Sequence, residues 1–201
     1  MKLTIWILAL LWCGSAGAGM DFAVDAQGGL RVMQDGKTVL REEAPALVAA
    51  DWRRVAEFAA VPAGSRTGNG AVVTTWSDGD STMTRRVERL SGGTLRIVRQ
   101  MRFLNGISAA RHVELNCFVP GGSIIAGGKT TPGSAKALTV ETEGKRIGVS
   151  FTGFSIPWVF EKQEKSEIRL ILAWNYDPAA INRIESTMLI GEIPGKAKEE
   201  K

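Results

Sequence analysis

His112, Glu114 and Asn116 alternate along Arg111-His112-Val113-Glu114-Leu115-Asn116-Cys117-Phe118-Val119. In an extended chain alternate side chains share a face, so three polar groups line up about 7 Å apart from one to the next. An imidazole beside a carboxylate can act as a general base and acid. The same groups can equally hold sugar hydroxyls, because they offer both donors and acceptors. Val113, Leu115, Cys117 and Val119 form the opposite face, which is expected to look into a core. His112 is the only histidine of the chain. The competing reading of this strand is an ordinary solvated face.

A second set is basic. Arg85, Arg86, Arg89, Arg96, Arg99 and Arg102 lie on two segments joined by Ser91-Gly92-Gly93, and Arg111 follows. Across a hairpin they would make a basic face for carboxylate or sulfate groups on a polysaccharide, which guanidinium matches bidentately. Arg102 is the ligand-binding candidate of this set. A ladder neutralised by Glu88 and Glu114 is the alternative. A third set is aromatic: Trp52, Trp76, Trp158, Trp174 and Tyr176 could stack on the apolar face of a sugar ring. Trp158, following Ile156-Pro157, is expected to be exposed, in a loop or at the start of a short strand over 158–161, and Trp76, at a strand end, ranks second. Core packing is the commoner use of tryptophan in a sandwich.

These side chains must be carried by strands. Period-2 alternation recurs over 22–24, 30–33, 38–41, 71–76, 82–90, 94–104, 109–120, 136–142, 146–151, 168–174 and 188–193. Asp35-Gly36 and Glu143-Gly144 mark tight hairpins. Residues 42–60 read both ways. Their Ala, Glu and Arg content favours helix, but β-like flanks favour a strand over 46–54. A loop is expected at 63–70, a Gly-rich loop up to 134, and a turn or short helix over 178–184. Short strands with Gly-rich turns and few helices give an all-β fold, an antiparallel β-sandwich. We expect one domain over 19–194 and a disordered, mixed-charge tail over 195–201.

Residues 1–18 read as a cleavable signal peptide. Lys2 precedes an apolar run of about ten residues, too short for the roughly 20 that span a bilayer. Ala16-Gly17-Ala18 is an A-x-A cleavage site. Cys13 follows Trp12, which is too large for the position before a lipidated cysteine, so lipid anchoring is not expected. The mature chain would be periplasmic or extracellular, without an integral membrane segment. Cys117 would be its sole thiol, so its core rather than a disulfide must hold it. About 180 residues suffice for a sizeable core. The net charge of +4 is too small to argue for nucleic acid. No phosphate-binding Gly-rich motif, CxxC, HExxH or Gly-x-Ser-x-Gly occurs, so neither a cofactor nor a metal site is expected.

The succession DGDSTMTRRVERLSGGTLRIVRQMRF, RHVELNCFVP and LTVETEGKRIGVSFTG resembles the curved β-sandwich, or supersandwich, of galactose-mutarotase-like proteins. The resemblance covers residues 70–193 and lies in strand rhythm. Related sandwiches accompany secreted carbohydrate-active enzymes. In mutarotase-like enzymes a histidine and a glutamate on the concave sheet carry the proton transfers, and only His112 and Glu114 could take those roles here. The family's second histidine has no counterpart. The leading expectation is therefore a secreted, non-catalytic sandwich that binds or helps process carbohydrate, acidic polysaccharide included. A sugar- or uronate-acting enzyme using His112 and Glu114 is the second. An envelope subunit that contacts another protein is the third.

Overall fold

The computed structural model describes residues 19–26, 28–57, 59–66, 70–77, 81–103, 110–126, 137–142, 144–162, 167–175 and 183–193. The expected leader, the tail over 195–201 and residues 178–182 lie outside them. The fold is all-β. In chain order the strands are β1 (Met20–Val24), β2 (Leu30–Gln34), β3 (Lys37–Glu42), β4 (Ala46–Val48), β5 (Arg54–Glu57), β6 (Ala59–Arg66), β7 (Val72–Ser77) and β8 (Ser81–Arg89). They continue as β9 (Leu95–Phe103), β10 (His112–Pro120), β11 (Ser123–Ala126), β12 (Ala137–Thr142), β13 (Lys145–Thr152), β14 (Ile156–Lys162), β15 (Glu167–Asn175) and β16 (Arg183–Glu192). Among the described residues no helix is long and apolar enough to cross a membrane.

Two antiparallel sheets of eight strands each form the sandwich. The first runs β1-β2-β3-β10-β15-β14, with β4 and β5 branching from β10; the second runs β11-β12-β13-β16-β9-β8-β7-β6. Alternation explains their packing. Leu115, Cys117, Val119, Leu170 and Leu172 of the first sheet join Val87, Ile97, Val149 and Ile190 of the second in one buried cluster. Removal of such side chains from water, at about 25 cal/mol per Å², is what drives two sheets together. The β2–β3 hairpin forms where Asp35-Gly36 marks it, and both residues take positive φ (51° and 78°), as a tight turn matched to strand twist requires.

Several boundaries differ from the sequence expectation. Residues 46–54 are not one strand: β4 and β5 form a hairpin around a turn, with Ala49 N–H donating to the Arg53 carbonyl and Trp52 N–H to the Ala49 carbonyl. Residues 59–66 form β6 where part of a loop was expected. The Gly-rich stretch after Pro120 contributes β11 at its start. Such short, edge-lying strands carry too few alternations to stand out in a sequence.

β10 is the strand that positions the polar triplet. On one side it pairs with β15 over its full length, His112 opposite Asn175 through Pro120 opposite Glu167. On the other side β3 and β4 lie end to end along it, pairing at Cys117–Phe118 and at His112–Glu114. Glu43 N–H bridges the gap by donating to the Asn116 carbonyl.

Candidate functional site

The outward face of β10 is polar but not a freely solvated strand face. Glu114 and Asn116 are buried, and His112 is half-buried. Trp52 covers part of it. The β4–β5 turn holds Trp52 at φ 63°, a left-handed conformation costly for a bulky residue and kept only where the surroundings enforce it. Its indole stacks on the His112 ring at 5.0 Å between centroids and 16° between planes.

Beside this stack Glu114, Asn116 and Arg169 form a closed polar circuit. The Asn116 amide donates to Glu114 Oε1. Arg169 donates to Asn116 Oδ1 from Nε at 2.9 Å and from Nη2 at 2.7 Å. Arg169 Nη2 also stands 3.5 Å from Glu114 Oε1. These bonds fix both orientations of the amide, because its oxygen must accept and its nitrogen must donate. Phe118, next along the face, lies under the Arg41 guanidinium at 3.9 Å and near that of Arg169 at 5.9 Å. The circuit is thus clamped from β3, β10 and β15.

Trp52, Arg54, Glu114, Arg169 and Ile171 line a hollow of about 420 Å³. That falls within the range of small-ligand sites, roughly 300–1,000 Å³, which combine apolar walls with a few fixed polar groups. Arg54 stands 3.9 Å from Glu43 at its rim. Among the described residues no group of three or more His, Cys, Asp or Glu could hold a metal ion.

The structure sorts the sequence candidates into three groups. His112, Glu114 and Asn116 share the outward face of β10, where Asn116 bonds Glu114 and His112 instead stacks on Trp52. Trp76 does not join them: it is fully buried in the sandwich. β7 alternates Val72, Thr74 and Trp76 inward, and the indole lies 4.8 Å from the Arg85 guanidinium carbon. It packs the core and cannot serve as a platform for a sugar. Trp158 belongs to β14, not to a loop, and stands in register with Ile171, which is itself opposite Asn116.

The basic hairpin also divides. Thr82, Thr84 and Arg86 face outward while Met83, Arg85 and Val87 face inward, and β9 alternates likewise. Arg85 and Arg99 are therefore inside the sandwich. Of the remainder, Arg86 and Arg96 pair with Glu88 and Arg89 pairs with Asp21. Burial works to raise the Glu88 carboxyl, but its bonds from Arg96 and Arg86 hold it below its ordinary value. Arg102 is exposed on β9, opposite Thr82 and Arg183. It sits on the outward face of the second sheet, away from His112 on the outward face of the first. Of the two readings of this hairpin, the outward arginines that pair with Glu88 and Asp21 follow the neutralised ladder rather than a single basic face.

Of the hollow's lining, the candidate residues singled out above included Glu114 and Trp52. Trp52 ranked behind other tryptophans, and Arg54, Arg169 and Ile171 were passed over. Arg169 carried a usable signal, a lone charge inside the apolar run Ile168–Trp174.

No protein-family profile and no curated protein sequence matches this chain. Solved structures do. A 4-alpha-glucanotransferase from Thermococcus litoralis shares the fold with a TM-score of 0.51 and 7% identity over 88% of this chain and 37% of its own. A chain assigned as a kojibiose phosphorylase from the human microbiome aligns at TM-score 0.36 and 12% identity, over 94% of this chain and 26% of its own. This chain therefore spans about a third of the first and a quarter of the second.

Proposed function

We propose that this chain is an exported carbohydrate-binding protein whose ligand occupies the hollow beside Trp52. The observation that carries the reading is the joining, in one open hollow, of an indole and a pre-oriented Glu114–Asn116–Arg169 circuit. A sugar ring offers an apolar C–H face for the indole and hydroxyls that pair with carboxylate, amide and guanidinium. Glu114 Oε1 is taken by Asn116 and Arg169, which holds the carboxylate in a fixed orientation toward the hollow. Arg54 and Arg169 extend the reading to acidic saccharides, whose carboxylates guanidinium matches well. The shared fold with a glucanotransferase is in keeping with this ligand class. Export to the periplasm or beyond rests on the leader at 1–18, and the unit that acts is residues 19–194. A supersandwich relation to galactose-mutarotase-like proteins stays part of this proposal.

Binding without turnover has the better support. The His112 ring is stacked on Trp52, and its Nδ1 is buried without a partner. Glu114 is engaged by Asn116 and Arg169 rather than by His112. Titration calorimetry and tryptophan fluorescence with neutral α-glucan and with uronate oligosaccharides test the reading. Binding is expected, with a loss of about 10-fold or more in Trp52→Ala and in Arg169→Met. No binding to either panel would sink it.

A further inference from the structure

The interior of the sandwich holds more positive charge than its described residues balance. Arg85 on β8 and Arg99 on β9 stand opposite each other in register, and their side chains are 0% and 1% exposed. One carboxylate meets both. Glu42 on β3 accepts from Arg85 Nη1 through Oε1 at 2.9 Å and from Arg99 Nη2 through Oε2. Burial works to raise the Glu42 carboxyl, but the two guanidiniums outweigh it and hold the group below its ordinary value. It is a full anion, yet only one.

Arg85 completes much of its shell, with Nη2 donating to the Gly28 carbonyl at 2.7 Å and to Thr74 Oγ1 at 3.2 Å. Arg99 does not. Its Nε and Nη1 are both buried without a partner. Ser186, its register partner on β16, is buried with its hydroxyl also unpartnered. Phe154 lies 5.9 Å from the Arg99 guanidinium carbon and 4.8 Å from the Trp174 ring.

Cys117 is a further ionisable neighbour, in register with Glu42. Burial pushes its thiol up, so it adds no negative charge. Two guanidiniums, which stay charged in proteins, thus face one carboxylate among the described residues, with all three side chains shut off from the surface. An uncompensated buried charge is among the costliest arrangements a core can hold. A bound water would satisfy a hydrogen bond but leave the charge.

We propose that the sandwich encloses a small monovalent anion of the halide class, held at Arg99 beside Ser186. Its contacts are an open Arg99 N–H and the Ser186 hydroxyl, and its charge neutralises the second guanidinium. The site is inside the fold and independent of the outward hollow, so its ligand is a structural ion rather than a saccharide.

The test uses the full chain, refolded from urea into the halide-free sodium salt of a bulky sulfonate buffer (HEPES), whose anion is too large for the interior and is not a saccharide. Sodium bromide then replaces that salt at constant ionic strength while thermal unfolding is followed. A rise in Tm of about 2–4 °C is expected, the size of a modest ligand-linked gain in a chain this long. Arg99→Met leaves a balanced Glu42–Arg85 pair and should lose the bromide response. Should that variant not fold, Ser186→Ala keeps the charges and should shift the response to higher bromide. Crystals grown in bromide should show an anomalous peak within hydrogen-bond distance of Arg99. Equal Tm in both salts overturns the proposal. So does a bromide response undiminished in the variants, an anomalous peak without any response in solution, or a site that holds only water.

Discussion

Two of the arginine–glutamate clusters in this molecule differ in what surrounds them. Inside, Glu42 sits between Arg85 and Arg99, and all three side chains are shut off from solvent. On the outward face of β10, Glu114 meets Arg169, whose side chain keeps 26% exposure. The inner charges have lost their water, so each depends wholly on its partners. The outer pair keeps contact with solvent and with an open hollow, where a ligand can take the place of water. Similar chemistry thus fastens two sheets in one place and presents a binding surface in the other.

The sharpest way to break that contrast is to remove each carboxylate in turn. Glu42→Ala leaves two guanidiniums buried and should cost about 3–5 kcal/mol in urea unfolding. Glu114→Ala should cost only about 1–2 kcal/mol while weakening saccharide binding. Equal losses of stability would mean the two clusters play the same part.

The tryptophans offer a parallel pair. Trp76→Ala opens a cavity beneath Arg85 and should cost about 3–5 kcal/mol, whereas Trp52→Ala should cost less stability and act on binding, as a fluorescence titration would separate. Acid probes the inner cluster again. The Glu42 carboxyl lies below its ordinary value of 4.5 when folded. Its contribution is therefore present above that value and is lost as pH falls through the folded value. Acid unfolding should become less steep in Glu42→Gln. The smallest effect belongs to Arg102→Ala, expected within about 0.5 kcal/mol of the parent and without change in saccharide affinity, because Arg102 lies on the other outward face.

What the sequence revealed follows from what alternation encodes. β10 is legible because Val113, Leu115, Cys117 and Val119 are apolar while His112, Glu114 and Asn116 between them are polar, so inside and outside separate by residue type over most of the strand. β8 and β9 defeat the same reading. Arg85 and Arg99 occupy inward positions, yet an arginine counts as polar wherever it points. Their partner Glu42 is 43 residues from Arg85 and on the other sheet, beyond the reach of any local pattern. Trp76 follows the inward alternation of Val72 and Thr74, but its place before a turn gave it an exposed reading. The hollow was hidden for a different reason. Trp52 comes from a hairpin turn, Glu114 from a strand and Arg169 from the neighbouring strand, and only the β10–β15 register brings the last two together. Pairing across sheets is a long-range choice of the whole chain, whereas the polarity of a face is written residue by residue.

Cys117 has a consequence of another kind. Its sulfur is sealed at the centre of the first sheet with 0% exposure, and burial keeps it in the unreactive thiol form, since the thiolate is the nucleophile. An alkylating reagent can reach it only in molecules whose sheets have parted. Its labelling rate therefore counts openings of the sandwich, an internal clock for conformational breathing. In oxidising surroundings the same seal would sort molecules by their history: closed ones keep the Cys117 thiol, and those that fail to close expose it to cross-linking with other chains.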